Sequence, residues 1–137
     1  MRRFSRTDIA LLVMRLGLAG LLLGFHGWSR LIKAWHFAVL GQPWTFVGVV
    51  ERLGFPFPGA FAVLSALSES IGAVLIGAGL FTRWAAAIFG FNMAVALTNE
   101  AVKGDPIELP ALYFLGAVVI LLLGPGSLSI DGLRRRA

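Results

Sequence analysis

Between Asp8 and Trp28 the chain carries one charge, Arg15, inside an otherwise apolar run. In hydrocarbon every backbone N–H and C=O must find its partner within the protein, so a run of this kind is expected to be a helix that crosses a bilayer. About 20 mainly apolar residues span a core of roughly 30 Å. Three further segments fit the same description, from about residue 59 to 80, 84 to 99 and 109 to 123. Only the tripeptide FTR separates the second from the third, so those two form a tight antiparallel hairpin. Pro106 and Pro110 fall at the start of the last, where proline is tolerated, and the GPG at 124–126 stops it. Charged residues make up 14% of the 137-residue chain, against about 25% in soluble domains. So little charge cannot cover a water-facing surface. The expected fold is an all-α membrane protein, a single domain over residues 1–137 that forms a four-helix transmembrane bundle. Its first partner is the lipid bilayer.

The first helix has a start signal, the S-x-x-D of Ser5 and Asp8, which suits a capping box. If it continued to about His36 it would be roughly 43 Å long at 1.5 Å per residue and would tilt or project. The basic N-terminus ahead of an apolar run resembles a signal peptide. No small-x-small cleavage site follows, so a retained span is expected. Residues 37 to 59 hold Pro43, Pro56, Pro58 and several glycines and form a connection. Within it, Thr45 to Leu53 suit a short amphipathic helix with Phe46, Val49, Val50 and Leu53 on one side. Such a piece is too short to cross and would lie in the interface, where Trp44 fits the aromatic belt. Whether it covers the bundle as a lid is open at this level.

Arg2, Arg3 and Arg6 open the chain and Arg134, Arg135 and Arg136 close it. Basic clusters beside apolar helices mark the cytoplasmic side of a membrane. With Arg83 they place seven basic residues inside, against four outside (Arg30, Lys33, Arg52 and Lys103), so both termini are expected in the cytoplasm. No basic segment is interleaved with base-stacking aromatics, so no nucleic-acid partner is expected. The chain has no cysteine, which excludes disulfides, thiolate metal sites and iron–sulfur ligation. Gly20 and Gly24, and Ala73 and Gly77, form small-x-x-x-small pairs that let helices approach closely in lipid. They serve contacts within the bundle or, as the second reading, a homo-oligomer face.

A charge near the bilayer centre costs at least about 2.5–3.5 kcal/mol on insertion scales, so it needs a partner or a task. Counted from the inner ends of their spans, Arg15 lies at roughly 10 Å, Asn92 at roughly 12 Å and Glu69 at roughly 16 Å. These depths predict a polar layer with an Arg15–Glu69 ion pair completed by Asn92. The layer is either a structural lock or a pocket for a polar head group. His26 is eleven residues beyond Arg15 and, at 100° per residue, faces within about 20° of it, at the outer rim. Arg30 and Lys33 extend the same stripe. His26 is either a structural hydrogen-bonding group or a contact for a head group. Both histidines sit on one element, which argues against haem. A metal would need His26 to meet Glu100, Asp105 or Glu108, and no metal site is expected.

Several stretches resemble the DoxX family of small bacterial membrane proteins. RLGLAGLLLGFHGWSRL at 15–31 is similar to that family's opening helix, with its arginine, small residues and HG-x-x-K/R-L ending. RLGFPFP resembles its LG-x-P-x-P connection. LSESIGAVLIGAGLFTRWAA is similar to its glutamate-bearing helix and G-L-x-T-R turn, and GPGSLSIDGL to its closing GPG-x-x-S-x-D. The matches run in order over nearly the whole chain. Arg15, His26, Arg30, Glu69, Thr82 and Arg83 fall on motif positions.

The resemblance implies a four-helix protein of the bacterial cytoplasmic (inner) membrane, associated with respiratory, sulfur or oxidative-stress redox chemistry. One relative is the membrane subunit of a thiosulfate:quinone oxidoreductase. The first reading of function is therefore a redox-associated membrane subunit that holds a quinone-like ligand, with no covalently bound cofactor, while a redox protein partner supplies electrons. Arg15, His26, Arg30, Glu69 and Asn92 are its candidate pocket residues. The alternative is a non-enzymatic membrane scaffold, chaperone or small-solute carrier.

Overall fold

The computed structural model of the chain describes residues 5–135. Arg2, Arg3 and Arg136, counted above in the basic clusters, lie outside them. The elements are α1 (Arg6–Leu22), a π-helical turn (Leu23–Gly27), α2 (Trp28–Leu40), α3 (Thr45–Arg52), α4 (Pro58–Ala78), α5 (Thr82–Lys103), α6 (Glu108–Leu123) and α7 (Ile130–Arg134). No strand occurs among the described residues. Three helical stretches are long and apolar enough to cross a membrane: Arg6–Leu40, Pro58–Ala78 and Thr82–Lys103. The apolar helix Glu108–Leu123 is shorter, at 16 residues.

Local chemistry sets the ends. Ser5 and Asp8 form a reciprocal capping box at the start of α1. Nothing between Trp28 and Leu40 breaks a helix, so the first helical stretch runs on for 35 residues, about 52 Å at 1.5 Å per residue. It stops where Gly41 takes a left-handed conformation and donates its N–H to the His36 carbonyl. Pro58 occupies the first turn of α4. The third apolar segment, expected to end near Asn99, continues as α5 to Lys103. The residues after Asn99 are helix-compatible, and the first stop is the left-handed Gly104.

Close contacts fix how the long helices lie against each other. A Cβ on Gly77 would sit 3.0 Å from that of Ala19, one on Gly27 would sit 2.6 Å from the Glu69 carbonyl oxygen, and one on Gly59 would sit 3.0 Å from the Phe37 ring. In each pair the two numbers add to the same value, so the first helical stretch and α4 are antiparallel in one unbroken register. Leu18, Leu22, Ile76, Phe89, Ala117 and Ile120 fill the core between α1, α4, α5 and α6. Gly20 and Gly24 do not take part. Nothing lies within 4 Å of a Cβ built on either, because they occupy the outward face of the first helical stretch. The bundle contact expected of that pair is made by Ala19 and Gly27 instead.

The register also corrects the expected Arg15–Glu69 ion pair. Depth from the sequence assumes that Asp8 and Leu80 lie in one plane. The Ala19–Gly77 contact puts Leu80 level with Leu16, so Asp8 lies eight residues, about 12 Å, beyond the level of Leu80. Arg15 therefore sits at the α4–α5 turn, far from Glu69. It is buried, and its Nη2 donates to the Leu128 carbonyl. Gly79 has to be glycine there, since φ is +70° and a Cβ would lie 1.9 Å from Arg15 Nη1.

Residues 124–133 close this end as a clasp. The Ser127 N–H donates to Asp8 Oδ1 at 2.7 Å. Asp131 accepts from Phe81 N at 3.0 Å, Thr82 N at 2.9 Å and Thr82 Oγ1 at 2.8 Å. Its own N–H donates to the Gly79 carbonyl at 2.9 Å. These bonds hold Phe81 at φ +47°, a conformation a non-glycine residue seldom takes. Burial alone would raise the Asp131 carboxyl, but the hydrogen bonds from Thr82 and Phe81, with Arg134 nearby, outweigh it and hold it below the usual carboxylate range. A lowered folded value means that the stabilisation is present above the unfolded value, roughly 4, and is lost as pH falls through the folded one. Asp131→Asn should therefore lower stability at neutral pH by about 1–2 kcal/mol and flatten its decline in acid. Thermal unfolding in detergent across pH measures both effects; equal acid slopes in the two proteins would rule out this role.

Candidate functional site

The polar layer lies near the middle of the long helices and is assembled from the π turn. A π turn carries one residue more than an α turn and shifts the facing of everything after it. Here it brings Gly27 against the backbone of Glu69 and Ser70, an approach that no side chain would permit. Arg30, one turn further, then lies over Glu69. Its Nη1 pairs with Glu69 Oε1, and Asn92 Nδ2 donates to the same oxygen at 2.9 Å. Glu69 is only 2% exposed. The Arg30 guanidinium also stands 4.8 Å from the centre of the Phe46 ring on α3. The cation is thus held between a carboxylate and an aromatic face, an arrangement that strengthens as water is removed.

A cavity of about 360 Å³ opens beside this pair, between α3, α4 and α5. That is within the range of small-molecule sites. Phe46, Val49, Val50 and Leu53, the apolar side read from the sequence of α3, form one wall. Arg30, Glu69 and Asn92 form its polar end. Leu64, Ile88 and Phe91 form the mouth, and all three are exposed on the outer surface of the helices. The cavity therefore opens sideways, and α3 covers it. A second cavity, of about 240 Å³, lies on the other side of the pair, lined by His26, Met93 and Tyr113 among others.

Four of the five residues singled out in the sequence meet here: Arg30, Glu69 and Asn92 in direct contact, and His26 on the second cavity. Arg15 is at the opposite end. His26 Nδ1 is buried with no hydrogen-bond partner among the described residues, so the structure gives that nitrogen no structural bond. Among the described residues no three histidine, aspartate or glutamate side chains come together as a metal site. The sequence reading missed Phe46 as the neighbour of Arg30, and Tyr113 as a wall of the second cavity. Gly27, three residues before Arg30, makes the close approach, but glycine in this apolar stretch is no signal by itself, since Gly20 and Gly24 make none. Thr82 and Arg83 belong to the clasp end: Thr82 bonds Asp131, and Arg83 lies against Gly124.

Chemically, the layer offers two fixed donors, one buried carboxylate and an apolar chamber beside them. It can hold a molecule with a hydrogen-bonding head and an apolar body. A double-mutant cycle measures the pairing. Arg30 and Glu69 should couple by about 1–3 kcal/mol in unfolding, whereas Arg15 and Glu69 should be additive within about 0.5 kcal/mol. Coupling of Arg15 to Glu69 instead would contradict the register described above.

The DoxX family model matches residues 10–104, which include the π turn, the Glu69 helix and the walls of the lateral cavity. No curated protein and no solved structure matches the chain. With three stretches able to cross a bilayer and a family match over well more than half of its length, the chain is a multi-pass membrane protein that belongs to the DoxX family.

Proposed function

We propose that this protein binds a quinone-like amphiphile within the bilayer, in the lateral cavity, and presents its head group to a redox partner protein. One observation carries this reading: an apolar chamber of about 360 Å³ that opens between exposed apolar side chains and ends on Arg30, Glu69 and Asn92. An isoprenoid or similar tail suits the Leu64–Ile88–Phe91 mouth, because a ligand already dissolved in lipid enters sideways without crossing water. At the polar end Arg30 and Asn92 can donate to a carbonyl oxygen, while Glu69 fixes the position of both donors. A quinone, when bound, supplies the electron-accepting ring. The chain itself binds, orients and excludes water.

In this reading the protein lies in the bacterial cytoplasmic membrane with four spans, α6 being the fourth. At 16 residues α6 is about 24 Å long, and it packs antiparallel on α5, where Phe89 meets Tyr113 edge-on at 6.2 Å. Local thinning accommodates so short a span. Arg6, Arg83, Arg134 and Arg135 share the clasp end, so that end faces the cytoplasm.

The test is extraction of bound small molecules from protein purified out of native membranes, read by mass spectrometry. Wild type should carry quinone at several-fold its membrane abundance, and Glu69→Gln and Arg30→Gln should lose most of it. Wild-type protein that repeatedly yields only ordinary phospholipid would overturn the reading and favour a scaffold or carrier.

A further inference from the structure

The second cavity differs from the lateral one in where it leads. Both touch Arg30, Glu69, Ala96 and Glu100. The lateral cavity ends among exposed apolar side chains on the helix sides. The second instead reaches Pro106 in the connection before α6, and Leu109 and Pro110 in the first turn of that helix. It thus opens at the end of the molecule opposite the clasp. Glu100 stands on its wall, held by Asn99 Nδ2 at 2.9 Å and lying 3.6 Å from Lys103 Nζ. Its wall is also rich in groups that can bond water, which needs two to four polar partners in a confined space.

We infer that the second cavity is an aqueous vestibule, separate from the lateral cavity, that brings water and protons from this end of the protein to the Glu69 carboxylate. Polar groups come to the surroundings of Glu69 from four elements: Arg30 from α2, His26 from the π turn, Asn92 and Glu100 from α5, and Tyr113 from α6, whereas α1 and α3 present only apolar side chains there, Leu22 and Phe46, Val49 and Val50. His26 and Tyr113 stand on the vestibule wall and are its relay side chains. The proton moves between water and the carboxylate with no electron transfer. Arg30 stands at the boundary between vestibule and lateral cavity, so water reaches Glu69 from one side while lipid-borne molecules reach it from the other. This holds whatever fills the lateral cavity.

The absence of native cysteine gives a direct test. Leu109→Cys at the mouth and Met93→Cys at depth each place a lone thiol on the vestibule; Leu64→Cys and Ile88→Cys place one on the lateral cavity. The full-length variants are reconstituted in liposomes and treated with a charged, membrane-impermeant methanethiosulfonate or with an uncharged maleimide. The charged reagent should modify the two vestibule positions from the side opposite the clasp at least about tenfold faster than the two lateral ones. Met93→Cys protein that reacts only with the uncharged reagent, as Leu64→Cys does, would overturn the inference. A second measurement covers a variant that fails to fold. The Glu69 carboxylate band, assigned by its loss in Glu69→Gln, should follow a pH jump in wild type and in Leu64→Trp, and respond about tenfold more slowly in Leu109→Trp. Equal rates in the two tryptophan variants, or a band that ignores bulk pH, would count against the vestibule.

Discussion

A carboxylate near the middle of an apolar helix is the constraint from which the rest of this architecture follows. Glu69 is almost wholly buried on α4, and a charge so placed is retained only beside a partner. Arg30 is that partner, and it reaches Glu69 only because Gly27 lets two helix backbones approach each other. The guanidinium in turn needs a face to rest on, and Phe46 supplies it. Phe46 belongs to α3, so the connection between the first two long helical stretches folds down over α4. The lateral cavity is the space that remains between that cover and the bundle.

Arg15 presents the same problem at the other end and solves it differently. No acidic residue on a long helix meets it. The clasp answers with a backbone carbonyl, from Leu128, and with the nearby Asp131 charge. The clasp keeps its shape through its own bonds, from Ser129 Oγ to the Gly126 carbonyl and from the Gly132 N–H to Ser129 Oγ. Arg15, buried, and Arg30, half-buried, thus divide the molecule into an end closed by hydrogen bonds to backbone and an end built around an ion pair and two cavities.

Much of this was legible in the sequence because it depends on local rules. The capping box at Ser5, the stop at Gly124 and the apolar side of α3 follow from residue type and spacing. The helical character of the long stretches follows from hydropathy. The pairing within the polar layer did not follow, for two reasons. Counting residues from each span's end assumes that the ends are level, and α1 projects beyond α4. Counting 100° per residue assumes a uniform helix, and the turn at Leu23–Gly27 is wound differently. Glu69 and Asn92 escaped both errors, since they lie on neighbouring helices joined by a short turn that fixes their relative height. Arg15 and Arg30 lie on either side of the irregular turn and exchanged expected roles.

That turn makes the first helical stretch a vernier. Its two halves are anchored separately, α1 by the clasp through Arg15 and α2 by Glu69 through Arg30. The winding between them sets the angle of one anchor against the other. Rewinding the π turn to an α turn would displace one residue and rotate α2 by about 100° relative to α1. Arg30 would swing off Glu69, and Phe46 would lose the cation it rests against. A change of winding over five residues is therefore enough to open the layer, while the clasp, the hairpin and the core stay where they are.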